Sequence, residues 1–156
     1  MNRRGKTNYT SAGFSLLEAV LVISITMVLV AMAVPKFNQA ISQYKLHAAA
    51  DSAAWAMQST RYQALQKGYT YELTINATNN TYQVLSKPIG ASTFTNVGSA
   101  VPMTSSPVTV SATTTLTFSP NGTVALVAGS QTITFTYLGL TETVTVTNYG
   151  SVTVTP

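Results

Sequence analysis

The stretch SAGFSLLEAVLVISITMVLVAMAVP, from Ser11 to Pro35, decides how the rest of the chain is read. Between Phe14 and Val34 it is apolar except for Glu18 and the small hydroxyl and amide-free polar residues Ser15, Ser24 and Thr26. About twenty consecutive apolar residues in a helix match the hydrocarbon thickness of a bilayer. A single acid in such a segment is expensive, roughly 2.5–3.5 kcal/mol at the bilayer centre on insertion scales. Glu18 is therefore a functional residue by default, and it requires a partner.

Working outward, residues 1–13 are polar and basic, with Arg3, Arg4 and Lys6 carrying the charge. After Pro35, apolar and aromatic residues recur at Phe37, Ile41, Tyr44, Ala48, Trp55, Tyr62 and Leu65. These steps of three, four and seven hold one helical face. A single helix over 14–67 would be about 80 Å long. Gly68 supplies a natural stop, since glycine accepts the left-handed cap conformation.

From Tyr69 the period changes to two. Tyr71, Leu73 and Ile75 alternate with polar residues, as do Tyr82 with Val84, Val108 with Val110, and Leu116 with Phe118. The same alternation joins Ile133, Phe135 and Tyr137, then Val144 with Val146, and Val152 with Val154. Turn chemistry separates these runs at NATNN (76–80), PNG (120–122), LGL (138–140) and NYG (148–150). The Ser-, Pro- and Thr-rich span 86–107 reads as a long loop. The Thr-Val alternation reads as ordinary strands rather than a repeat. The expected fold class is α+β. A long N-terminal helix has a transmembrane half over 14–35 and an amphipathic half over 36–68. It packs on an antiparallel β-sheet domain over 69–156. Tyr44, Trp55, Tyr62 and Leu65 are expected to cover the sheet, with Trp55 in the core.

Bulk properties narrow the function. The 156 residues suffice for one compact domain plus an anchor. With no cysteine, neither a disulfide framework nor a thiolate metal site is available. The formal charge of +4 is concentrated in the first six residues. Beyond them, Lys36, Lys45, Arg61, Lys67 and Lys87 nearly balance Glu18, Asp51, Glu72 and Glu142. A nucleic-acid binder shows a clustered basic face, which this chain lacks. His47 is the only histidine. It stands four residues before Asp51, a spacing suited to an ion pair or a weak metal pair. A solvated helix face is the simpler reading. Calcium needs six to eight oxygens, several from carboxylates, and the C-terminal region offers only Glu142. No glycine-rich phosphate loop occurs. The triplets at Asn76, Asn79 and Asn121 match a glycosylation acceptor but read as coincidence. No catalytic residue, cofactor or metal ligand is expected.

With these residues in view, GFSLLEAVLVISI after a basic leader resembles the class III signal of type IV pilins and secretion-system pseudopilins. The resemblance implies that a prepilin peptidase cuts after Gly13 and methylates the new amine of Phe14. It makes Glu18 the family's glutamate, fifth after the cut, and Pro35 the proline that breaks the helix. Ala12 stands where many members have a basic residue. Once the leader is gone, Glu18 can pair with the Phe14 amine of a neighbouring subunit and set the axial register, since buried charges need partners. Before cleavage, the basic leader holds the cytoplasmic side. Two plainer readings compete. One is a secretory signal cut at Ala31-Met32-Ala33. The other is a single-span anchor in which Glu18 is incidental.

A second likeness runs further along. AWAMQSTRYQALQKGYTYELTI, with Arg61 and Ala64, resembles the helix end and first strand of H-type minor pseudopilins and related minor pilins. Phe118, Gly122 and Gly150 fall at the places of their C-terminal turn and terminal glycine. Members proposed to bind DNA carry basic residues near that glycine, whereas this chain has none after Lys87. What the resemblance implies is a minor pseudopilin of a type II secretion system, a structural subunit rather than an enzyme. It would be single-pass in the bacterial inner membrane, with its C-terminal domain in the periplasm, and would enter a periplasmic filament. Its partners would be other pseudopilins or pilins, the prepilin peptidase and an inner-membrane assembly platform. The alternatives are a type IV pilus subunit, minor or major, and a membrane-anchored or secreted β-rich binding protein with no filament.

Overall fold

A computed structural model describes residues 13–103 and 108–156. The chain divides into two units, Met1–Gln39 and Ala40–Pro156. Helix α1, Leu16–Lys67, contributes to both and contains 52 residues.

In the first unit the apolar side chains from Leu16 to Val34 are largely exposed. The helix is long and apolar enough to cross a membrane. Its two internal hydroxyls are satisfied within the helix. Ser24 Oγ donates to the Val20 carbonyl at 2.7 Å and Thr26 Oγ1 to the Val22 carbonyl at 2.8 Å. That removes the penalty of carrying an unpaired hydroxyl into hydrocarbon. The break expected at Pro35 does not occur, because α1 continues through it. Proline removes one ladder hydrogen bond and crowds the preceding turn. The helix formers on both sides carry the ladder past that single loss.

In the second unit α1 ends at Lys67. Gly68 follows with φ 68° and donates to the Ala64 carbonyl at 3.0 Å. The left-handed glycine cap is the one the sequence called for. Two antiparallel sheets follow. The first contains β1 (Thr70–Asn76), β2 (Thr81–Lys87), β3 (Thr95–Asn96), β4 (Val101–Pro102), β6 (Thr114–Phe118) and β7 (Val124–Ala128). Its order is β3-β2-β1-β6-β7, with β4 also pairing with β2. The second contains β5 (Thr109–Val110), β8 (Thr132–Tyr137), β9 (Leu140–Val146) and β10 (Val152–Thr155), in the order β10-β9-β8-β5. The single expected sheet is thus two. The span expected as loop contributes the two-residue strands β3 and β4.

The helix covers the strands with a different face from the one expected. Leu46, Ala49, Ala50, Ala53, Ala56, Met57, Thr60 and Ala64 are buried. Tyr44, Trp55, Tyr62 and Leu65 are exposed, Trp55 at 64%. At about 100° per residue the two sets lie on opposite sides of the helix. The reason is volume. The sheets bring Tyr71, Phe118 and Phe135, all fully buried, into the same core as the alanines. Interiors fill to crystal-like density, so large strand side chains leave room only for small helix ones.

The turns use the expected residues. Asn76 Oδ1 accepts from the backbone N–H of Thr78 at 2.9 Å and of Asn79 at 3.2 Å. Asn121 Oδ1 accepts from Thr123 N–H at 3.1 Å and from its hydroxyl at 2.7 Å. The Asn-x-Thr spacing at 76 and 121 is therefore turn chemistry, with the asparagine side chain mimicking a backbone turn.

Candidate functional site

Three groups of residues carry the functional argument, one in the first unit and two in the second.

The residues singled out at the N-terminus lie on open backbone. A side chain at Gly13 would meet no atom within 4 Å, and Phe14 is 73% exposed. Ser15 flanks the helix, and its carbonyl accepts from Ala19 N–H at 3.1 Å. Glu18 sits in the first turn. The free amides of a first turn and the helix dipole favour a carboxylate there. Ser15 and Glu18 also have the S-x-x-E spacing of a capping box. Residues 1–12 of the expected leader, 1–13, lie outside the described residues. Pro35 follows at the end of the apolar stretch, inside the continuous helix.

The second group joins helix to sheet. His47 Nδ1 lies 2.6 Å from Glu142 Oε1, and its Nε2 lies 3.4 Å from Asp51 Oδ2. Glu142 sits on β9 in phase with the inward-facing Val144 and Val146 and is only 7% exposed. A carboxylate at a core position needs a charged partner. The hydrogen bond to Glu142, then the charges of Glu142 and Asp51, raise the His47 pKa above its ordinary 6.5, against a small opposing effect of burial. The solvated face read from the i, i+4 spacing is thus a bridge. The phase of Glu142 was the available signal: an acid where valines point inward demands a partner. Among the described residues no three His, Cys, Asp or Glu side chains are placed to hold a metal.

The third group is a clasp. Arg61 Nε donates to the Gly122 carbonyl at 3.0 Å. A side chain at Gly150, where φ is 78°, would collide with Nε, Cδ and Cζ of Arg61. At Gly122, where φ is 84°, it would press on Leu65 at 3.2 Å and on the Arg61 guanidinium at 3.3 Å. The arginine, the Phe-x-x-x-Gly glycine and the terminal glycine were separate pattern positions in the sequence. The fold brings all three together. Trp55, expected in the core, belongs to none of these groups and faces outward.

Against known proteins, the family model described as type II transport protein GspH matches residues 49–154. No curated protein and no solved structure matches the chain. The match takes in the last turns of α1, both sheets, and the Arg61, Gly122 and Gly150 clasp. On that match and on its long helix followed by antiparallel sheets, the chain belongs to the GspH family of type II transport proteins, a pilin-like family of secretion pseudopilins.

Proposed function

We propose that this chain is a minor pseudopilin of a type II secretion system, a structural subunit of a periplasmic filament and not an enzyme. The observation that carries the reading is the conjunction of two features in one chain. A GspH-type domain follows an apolar helix whose first turn holds Glu18. In this reading residues 1–13 are a leader removed after Gly13, and Phe14 becomes the methylated N-terminus. Residues 14–35 are the membrane span and later the filament core. Residues 36–68 are the amphipathic half of the helix, and 69–156 form the periplasmic domain. The subunit waits in the inner membrane as a single-pass protein. It then joins other pseudopilins through the assembly platform, with Glu18 paired to a neighbour's Phe14 amine.

N-terminal sequencing of the membrane-extracted protein tests the processing step. A start at Phe14 is expected, whereas a start at Val34 would revive the secretory signal. Glu18→Ala should leave processing and insertion intact but reduce crosslinking to other filament subunits. Removing one partner of a buried ion pair costs roughly 3–5 kcal/mol. Parent-like crosslinking of Glu18→Ala would remove the register role.

A further inference from the structure

Beside the clasp lies a hollow of about 340 Å³ lined by Gln58, Arg61, Tyr62, Leu65, Gly150 and Val152. We propose that it receives a carboxylate side chain, flanked by an apolar residue, from a different pilin-like subunit. The partner's identity rests on the filament reading above, while its chemistry comes from the hollow itself.

The chemistry follows from the guanidinium. Arginine carries five N–H donors. Among the described residues only one of these is used, Nε to the Gly122 carbonyl. Among the described residues no carboxylate lies within ion-pair distance of Arg61. The chain has only four acids. Asp51 and Glu142 are held at His47, Glu18 belongs to the apolar stretch, and Glu72 sits on β1. The terminal N–H groups of Arg61 therefore suit an outside acceptor, and their fork matches a carboxylate best.

The walls narrow the choice further. Tyr62 is 61% exposed and Leu65 45%, so apolar surface borders the charge. One cation among apolar walls does not make a nucleic-acid surface, which needs a row of basic residues. The volume lies near the lower end of the range of roughly 300–1,000 Å³ for ligand pockets, which suits a side chain or two. Gln58, Arg61, Tyr62 and Leu65 fall at i, i+3, i+4 and i+7, so one helix face presents the site to an approaching subunit. A second copy of this chain is a poor donor, because Glu72 is its one acid not already committed. A different subunit is the better source.

The test uses the full chain in membranes, expressed with its own secretion genes, carrying a photocrosslinking residue at Leu65. The expected crosslink joins it to a different pilin-like subunit, in a peptide containing Asp or Glu within a few residues of the joined position. Gln58→Glu places a carboxylate three residues before Arg61 and leaves the Gly122 bond alone. It should lower the yield roughly tenfold by occupying the guanidinium, the size of a lost charge-assisted hydrogen bond. Replacing the mapped acid with Lys should abolish the crosslink, and adding Arg61→Glu should restore it. Protease resistance of the sheets confirms folding in each variant. A parent-like yield from Gln58→Glu, a joined peptide without an acid, or a crosslink only to a second copy overturns the proposal. So does the absence of any pilin-like partner, and N-terminal sequencing of the same material tells whether the filament reading falls with it. A chain starting at Phe14 that still forms filaments leaves only the hollow refuted.

Discussion

Gly150→Ala probes the clasp most directly. The substitution adds two costs. The backbone at 150 has φ 78°, a left-handed conformation that costs an L-residue roughly 1–2 kcal/mol. The new methyl also strikes Nε, Cδ and Cζ of Arg61. These atoms are in the middle of the side chain, so the whole guanidinium must leave. It then gives up its bond to the Gly122 carbonyl. A hydrogen bond to a charged group contributes about 1.5–3 kcal/mol, and partial exposure places this one at the low end. The expected loss is about 3 kcal/mol, a fall in Tm on the order of 10 °C for a domain of this size. In an Arg61→Ala background the collision disappears and only the backbone strain is left. The two substitutions should therefore couple by about 1.5 kcal/mol, well outside the additivity error of roughly 0.3–0.5 kcal/mol. The assay is thermal unfolding of the four chains in detergent, followed by circular dichroism of the β signal. Equal costs of Gly150→Ala with and without Arg61 would refute the clasp.

Three further outcomes follow from the packing and charge pattern. Ala53→Leu should destabilise by about 1–3 kcal/mol through overpacking, while Trp55→Ala should stay within about 0.5 kcal/mol, both by thermal unfolding; the reverse order would put the aromatic face inward. Leu138 has φ 49° in the two-residue turn between β8 and β9 and is 76% exposed, so Leu138→Asn should stabilise by up to about 1 kcal/mol, and a lower Tm would contradict the strain. The raised His47 pKa stabilises the fold fully below its ordinary 6.5, and that contribution is lost as pH rises through the folded value. The parent should therefore lose Tm on going from pH 6 to pH 8 by more than His47→Gln does, and identical pH profiles would refute the bridge.

Much of this architecture is legible in the sequence because it rests on periodicity. The apolar run to Val34, the glycine stop at 68 and the alternating strands each follow from local chemistry. The face of α1 is not legible in that way, because the helix after Pro35 is apolar on two opposite sides. One side carries Tyr44, Trp55 and Tyr62, and the other carries Ala49, Ala53 and Ala56. Period alone cannot choose between them, and hydrophobicity favours the aromatics. The choice is made by Tyr71, Phe118 and Phe135 on the strands, whose bulk needs the small stripe opposite. Strand β7 follows the turn at Gly122, where the resemblance implies a strand, but periodicity does not show it. Val124–Ala128 is apolar at every position and so shows no alternation, although it lies at a sheet edge where only Val124 is buried.

The sites divide by the range of the interactions that build them. Gly13, Phe14 and Glu18 are close in sequence, so their pattern is visible without a fold. The bridge and the clasp are not local. His47 meets Glu142 across 95 positions, and Arg61 meets Gly122 across 61. The phase of Glu142 alone announced the bridge, while Gly122 and Gly150 read as turn glycines. Gly122 and Gly150 need their positive φ, but so do other turn glycines with open space around them, such as Gly68 and Gly139. What distinguishes the pair is that the space a side chain would fill is already occupied by one arginine. That arginine ties the last turns of the helix to the hairpin after Phe118 and to the approach to β10. Only Nε of that guanidinium is spent on the clasp, so its terminal donors are left available to a neighbouring chain.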